Sequence, residues 1–221
     1  MSSLAVIPAR GGSTRLKDKN IYMLGGKPLI NWTIDAVLDS ACFDRIIVSS
    51  DSDVILDKVY RYYNNVELHR RPDEQATKQA KVLDAMLDIL DNNDSKVFGY
   101  FLPTCPFRTH EHIKEAFSLL TDNTDTVVSV VPYSEPIQLA GVVNEEDEFI
   151  PNTNDLINGN TNSLFMEKHY RPNGGMYMGW SDFIKNNRNF FCGKTKAYIM
   201  DKFDSHDIND IFDMKVAEIL I

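Results

Sequence analysis

The sequence predicts an α/β protein of three layers, α/β/α, with a mostly parallel sheet between two layers of helices. Short β-rich runs alternate with longer amphipathic runs from residue 4 to about residue 131. The chain has 221 residues, enough for one core without covalent staples. Its hydrophobic fraction of 43% and charged fraction of 25% are those of an ordinary globular protein.

The elements follow in order. Residues 4–7, Leu-Ala-Val-Ile, are an apolar run stopped by Pro8, as in a buried strand. Residues 28–41 read as a helix, because Leu29, Ile30, Ile34, Val37 and Leu38 fall on one stripe. Residues 45–49 are a second strand. Residues 52–62 are a helix with Asp53 at the end the dipole favours. A short strand is expected at 66–69 and a helix at 77–91, where Val82, Leu83, Met86, Leu87 and Leu90 are in register. A strand at 97–102, a helix at 109–121 and a strand at 126–131 continue the rhythm.

That rhythm breaks over residues 132–172, which are rich in Asn, Pro and Glu. Only short strand signals remain there, at 139–143 and 148–150. Forty residues without structure would be unusual in a compact domain, so the stretch reads as a small inserted segment within one 1–221 domain. Strands at 175–180 and 195–200 and a helix at 210–220 complete the chain.

Composition excludes several function classes. The formal net charge of −9 argues against general nucleic-acid binding, which draws on a basic surface. No apolar run reaches the roughly 18 to 20 residues of a membrane helix. A strand begins directly after Met1-Ser2-Ser3, so no secretory leader is expected and a cytoplasmic location is. Cys42, Cys105 and Cys192 are odd in number and far apart, and suggest neither a disulfide frame nor a zinc site.

Parallel sheets bind ligands beyond the carboxyl ends of their strands. This directs attention to the segment Ile7-Pro8-Ala9-Arg10-Gly11-Gly12-Ser13 and onward to Lys19-Asn20. Paired glycines there would let backbone N–H groups approach an anion. Arg10, Arg15, Lys17 and Lys19 gather four cations in ten residues of an acidic chain. Arginine forks onto phosphate oxygens and lysine adds a point charge, so the segment suits a polyphosphate. It has neither Walker A nor GxGxxG spacing. The five histidines form no catalytic or metal-binding constellation, and Cys105 has no activating base beside it in sequence.

These residues resemble the N-terminal motif of the acylneuraminate cytidylyltransferases, the CMP-sialic acid synthetases and relatives acting on other nonulosonic acids. The resemblance continues in the family's order along nearly the whole chain. Residues 24–30 look like its LGGKPLI. Val48-Ser49-Ser50-Asp51 looks like its VSTD, and Arg71-Pro72 with Glu74 looks like its RPxEL. Pro103-Thr104-Cys105-Pro106-Phe107-Arg108 looks like its PTSPLR. Tyr170-Arg171-Pro172-Asn173-Gly174 with Tyr177 looks like its YRxNGxxY.

The resemblance implies a Rossmann-like nucleotidyltransferase sheet and a reaction: CTP and a 2-keto-3-deoxy sugar acid give a CMP-sugar and pyrophosphate, with Mg²⁺. It implies that Ala9, Arg10, Gly11, Gly12, Ser13, Lys19, Asn20 and Arg71 bind the nucleotide, with Lys19 and Arg10 catalytic. It implies that Leu102, Thr104, Tyr177 and Lys168 serve the sugar, and that residues 132–172 form a homodimer contact reaching toward the sugar site. Neither nucleic acid nor membrane is an expected partner.

The chain also departs from the pattern. The family's DID followed by Asp is here Asp207-Ile208-Asn209 with Asp213, so Asp207 is the first metal ligand expected and Asn209, through its amide oxygen, a second. Asp210 and Asp213 are expected to serve the start of the last helix instead. Leu102 stands where sialic acid enzymes often have Gln, Asn162-Ser163 lie where an Arg-Gln pair is common, and Lys81 replaces a small hydroxyl residue. Two alternatives stay open at this point: a related nucleotidyltransferase using another nucleotide or a Kdo-type acid, and a homologue that binds nucleotide or sugar without turnover.

Overall fold

A computed structural model describes residues 2–77 and 79–221. The elements are β1 (Ser3–Pro8), β2 (Met23–Leu24), β3 (Lys27–Pro28), α1 (Leu29–Ser40), β4 (Arg45–Ser50), α2 (Asp53–Tyr62), β5 (Glu67–Arg70), α3 (Val82–Asp91), β6 (Val97–Tyr100), α4 (His110–Ser118) and β7 (Thr126–Pro132). They are followed by β8 (Gly141–Val143), β9 (Phe149–Pro151), α5 (Asn154–Ile157), β10 (Tyr170–Trp180), α6 (Ser181–Asn187), β11 (Thr195–Ile199) and α7 (Ile211–Leu220).

Seven strands form one sheet in the order β11-β7-β10-β6-β1-β4-β5. β1 pairs in parallel with β4 and β6, β4 with β5, and β11 with β7, whereas β10 runs antiparallel to β6. The mostly parallel sheet is therefore as expected. β1 is buried along its whole length, which its uninterrupted apolar sequence requires of a central strand. One buried cluster joins Ala5 and Ile7 of β1 to Ile30, Ile34 and Val37 of α1. A second joins Leu4 and Val6 to Met86, Leu87 and Leu90 of α3, so successive β1 residues feed cores on opposite faces of the sheet. Among the described residues no helix is long and apolar enough to cross a membrane.

Three elements differ from the sequence reading. α3 starts at Val82 instead of at 77, because the apolar stripe that a helix needs begins there and Lys81 is extended; Lys78 of the expected helix lies outside the described residues. β10 begins at Tyr170, five residues before the expected strand, so the YRPNG motif is itself strand. α6 was not expected, since its seven residues are too few for a periodic signal.

Two compact units are distinguished, 131–171 and the remainder. The 131–171 unit holds the antiparallel hairpin of β8 and β9 and the single turn of α5. Asn152 N–H donates to the Ala140 carbonyl, and Thr153 Oγ1 donates to Gln138 O at 2.8 Å. Between residues 132 and 171 no hydrophobic side chain is buried, and Leu164 and Phe165 are 86% and 88% exposed.

Candidate active site

The carboxyl ends of β1, β5 and β6 open into a cavity of about 140 Å³. Pro8, Arg10 and Ser13 line it from the loop after β1, and Lys19 and Asn20 from the 3₁₀ turn that follows. Arg71 lines it from beyond β5, Val82 from the first turn of α3, and Leu102, Pro103 and Thr104 from beyond β6. A twisted parallel sheet presents its loops for a ligand at this end.

The loop is fixed by its own backbone. Ala9 is fully buried and its N–H donates to the Ser49 carbonyl. Gly11 N–H donates to Asp51 Oδ1 at 2.8 Å. A Cβ on Gly11 would lie 2.8 Å from Ser52 Cβ, which is why that position has no side chain. The Gly11 amide, expected to face a phosphate, is thus given to Asp51, whose carboxylate anchors the loop. Gly12 has open space around it, so no steric demand explains it. Asn20 is buried and its Nδ2 donates to the Arg10 carbonyl at 2.9 Å, so one of its two amide hydrogens holds the loop.

The cations differ in setting. Lys19 Nζ donates to Ile208 O at 2.8 Å. Burial pulls the Lys19 ammonium below its usual pKa, Asp207 opposes that, and Arg15 and Arg10 add to it. Arg71 is 2% exposed; its Nη2 donates to Ser49 O at 2.9 Å and its Nε to Ser49 Oγ at 3.2 Å. Burial lowers its pKa, with Asp51 opposing and Arg10 reinforcing the shift. Ser49 and Asp51 lie in and just after β4, so one segment holds both Arg71 and the glycine loop.

The expected metal ligands are arranged otherwise than the sequence suggested. Asn209 Oδ1 accepts from Arg15 Nη2 at 2.7 Å, and Asn209 Nδ2 donates to Asp207 Oδ2 at 2.7 Å. The oxygen that a hard cation would need from Asn209 is therefore occupied by a guanidinium. Asp213 Oδ2 accepts the N–H groups of Asn209 and Asp210, and Asp210 caps α7, as expected for a helix start. Among the described residues no group of three or more His, Cys, Asp or Glu is placed to hold a metal. A single carboxylate, Asp207, fits a magnesium ion that takes its other ligands from phosphate and water.

Two expected sugar residues lie outside the cavity lining. Tyr177 stacks on Tyr100 with ring centroids 4.4 Å apart, and meets Phe190 and Phe191 edge-on at 5.8 and 6.3 Å. Lys168 is exposed on the 131–171 unit. The sequence reading missed Val82, the Phe190-Phe191 pair and Asp51's grip on the loop. The aromatic pair, set in an otherwise polar stretch after α6, was the available signal. Cys105 is fully buried, and burial pushes its thiol up to about 11, which removes it as a nucleophile.

Comparison with known proteins places this geometry. The profile of a family described as cytidylyltransferase matches residues 4–171. The N-acylneuraminate cytidylyltransferase of Escherichia coli O18:K1:H7 is 34% identical over 97% of this chain and 51% of its own, so the chain spans about half the length of that relative. The CMP-N,N'-diacetyllegionaminic acid synthase of Legionella pneumophila is 35% identical over 100% of this chain and 97% of its own. Among solved structures, a CMP:2-keto-3-deoxy-manno-octonic acid synthetase complexed with CTP superposes with a TM-score of 0.72, over 100% of this chain and 98% of that one. Its 14% identity makes this a likeness of fold.

Proposed function

The chain belongs to the cytidylyltransferase family, and from that premise we propose that it activates a nonulosonic, sialic-acid-like sugar acid: CTP and the sugar acid give a CMP-sugar and pyrophosphate. The observation that carries this reading is the cavity where Arg10, Ser13 and Lys19 meet Arg71 on one side and Leu102 and Thr104 on the other.

In this reading the triphosphate lies along Arg10, Ser13 and Lys19, and the base lies toward Arg71. The sugar acid enters over Leu102 and Thr104, with Tyr177 assigned to its far side. The anomeric hydroxyl of the sugar attacks the α-phosphorus in line. The bond to the bridging oxygen breaks, pyrophosphate leaves with the electron pair, and the hydroxyl's proton passes to solvent. Arg10 and Lys19 stabilise the charge that builds on the phosphoryl oxygens; little other chemistry is needed once the reactants are aligned. Asp207 would hold Mg²⁺, which when bound neutralises phosphate charge.

The apolar side chains left exposed on the 131–171 unit support a homodimer in which a second copy covers them. CTP is an intracellular metabolite, so the reaction is assigned to the cytoplasm, where its product would feed the synthesis of surface polysaccharide. Nucleotide choice tests the reading. Pyrophosphate release with Mg²⁺ and a panel of N-acetylneuraminic, legionaminic, pseudaminic and Kdo acids should require CTP; equal release with UTP or ATP would refute it.

A further inference from the structure

Arg108 closes the Pro103–Arg108 motif, yet it points away from solvent and is 1% exposed. Its Nη1 donates to Gly175 O at 2.6 Å and to Leu102 O at 3.4 Å. Its Nε and Nη2 are enclosed with no hydrogen-bond partner among the described residues. The Phe101 ring lies 5.5 Å from the guanidinium carbon. Among the described residues Cys105 is the titratable neighbour that acts on it, and that thiol is uncharged at neutral pH. Burial lowers the arginine's pKa to about 10, which still leaves it protonated at pH 7.

A buried cation without a counter-charge is costly, and an apolar side chain of similar length would fill the space at less cost. Unpartnered buried donors in a folded protein call for a reason. Here the reason lies in what the guanidinium holds. Leu102 lines the cavity, and Gly175 belongs to β10, two residues before Tyr177. Gly174, beside it, has φ +77°, and a Cβ there would lie 3.1 Å from Leu102 Cδ1. The arginine therefore fastens β10 to the Leu102–Thr104 wall from behind. Because no carboxylate pairs with it among the described residues, its charge also acts through a low-dielectric wall on whatever enters the cavity.

The geometry points to Arg108 as a positioning residue whose uncompensated charge favours anionic ligands in the cavity; this rests on the reading of that cavity as the CTP site. A purely structural arginine would affect every ligand alike, whereas an electrostatic one discriminates by ligand charge.

The test compares CTP with uncharged cytidine, measured by calorimetry on the whole chain. Arg108→Gln keeps a donor for Gly175 O but removes the charge, and should weaken CTP by about fivefold or more while leaving cytidine unchanged. Cys105→Asp approaches from the other side: it leaves Arg108 in place and supplies the missing counter-charge, and should also weaken CTP selectively. This second route serves if Arg108→Gln does not fold. Equal loss of CTP and cytidine, or no loss of either, in whichever variant folds would overturn the proposal. Absence of CTP binding to the unmodified chain would instead remove the CTP reading itself.

Discussion

Lys19 Nζ donates to the Ile208 carbonyl at 2.8 Å. Ile208 N–H in turn donates to the Thr104 carbonyl at 2.8 Å, so Ile208 joins the loop after β1 to the loop after β6. Two walls of one cavity are thereby fixed by a segment more than a hundred residues away in sequence. Lys19 is held at the cavity by a neutral acceptor, and its charge stays available to an incoming phosphate.

Replacing Lys19 by Ala should therefore remove turnover more than it removes structure. A drop in kcat/KM of about 100-fold or more is expected, the scale of losing one transition-state donor. The circular dichroism spectrum and melting temperature should stay close to those of the original protein. Activity within about threefold of the original would take Lys19 out of the mechanism.

Asp51 is the anchor of the glycine loop. Asp51→Ala leaves the Gly11 N–H without its charged acceptor, at a cost of about 1.5–3 kcal/mol. For a chain of this length that lowers the melting temperature by roughly 3–12 °C. The freed loop should also raise KM for CTP while affecting the sugar KM less. Calorimetric melting and steady-state kinetics read the two effects separately.

The Arg15–Asn209–Asp207 chain makes a prediction about metal. Asn209→Asp would set a second carboxylate beside Asp207 and recruit a cation to offset their repulsion. Mn²⁺ titration without nucleotide, followed by electron paramagnetic resonance, should show tighter binding in this variant than in the original chain. Equal binding would mean that the amide does not limit the site.

Cys105 should resist alkylation. With its thiol raised to about 11 by burial, only about one part in a thousand is thiolate at pH 8. Exposed Cys192 should react first with iodoacetamide, and Cys105 only after denaturation. The sign with pH follows from the same shift. The native state keeps the proton where the unfolded chain would lose it, so this thiol's contribution to stability is whole below about pH 9 and is lost as pH rises through about 11. Peptide mass spectrometry after timed labelling checks the order.

The parts of the fold that were legible are those with a long or repeated signal. β1 is an unbroken apolar run, and α1 shows its stripe over several turns. The cation-rich segment after β1 also led directly to the cavity. What was hidden depends on side chains meeting across the fold. Asn209 carries no mark in the sequence that its oxygen will accept from Arg15, 194 residues away. Arg108 looks like one more surface cation in a motif, and only the packing of Phe101 and β10 around it shows a buried charge. The start of α3 was misplaced because the polar residues before Val82 are compatible with helix in isolation, whereas Lys81 is extended and the buried stripe lies beyond it, from Ala85 to Leu90.

The central claim is tested most directly by the product. The chain is incubated with CTP, Mg²⁺ and each sugar acid of the panel, and the mixture is analysed by mass spectrometry. The account predicts CMP linked to one of the acids, formed in step with pyrophosphate and absent without the sugar. CTP that binds and yet gives no CMP-sugar with any acid, or pyrophosphate released equally without sugar, would contradict it.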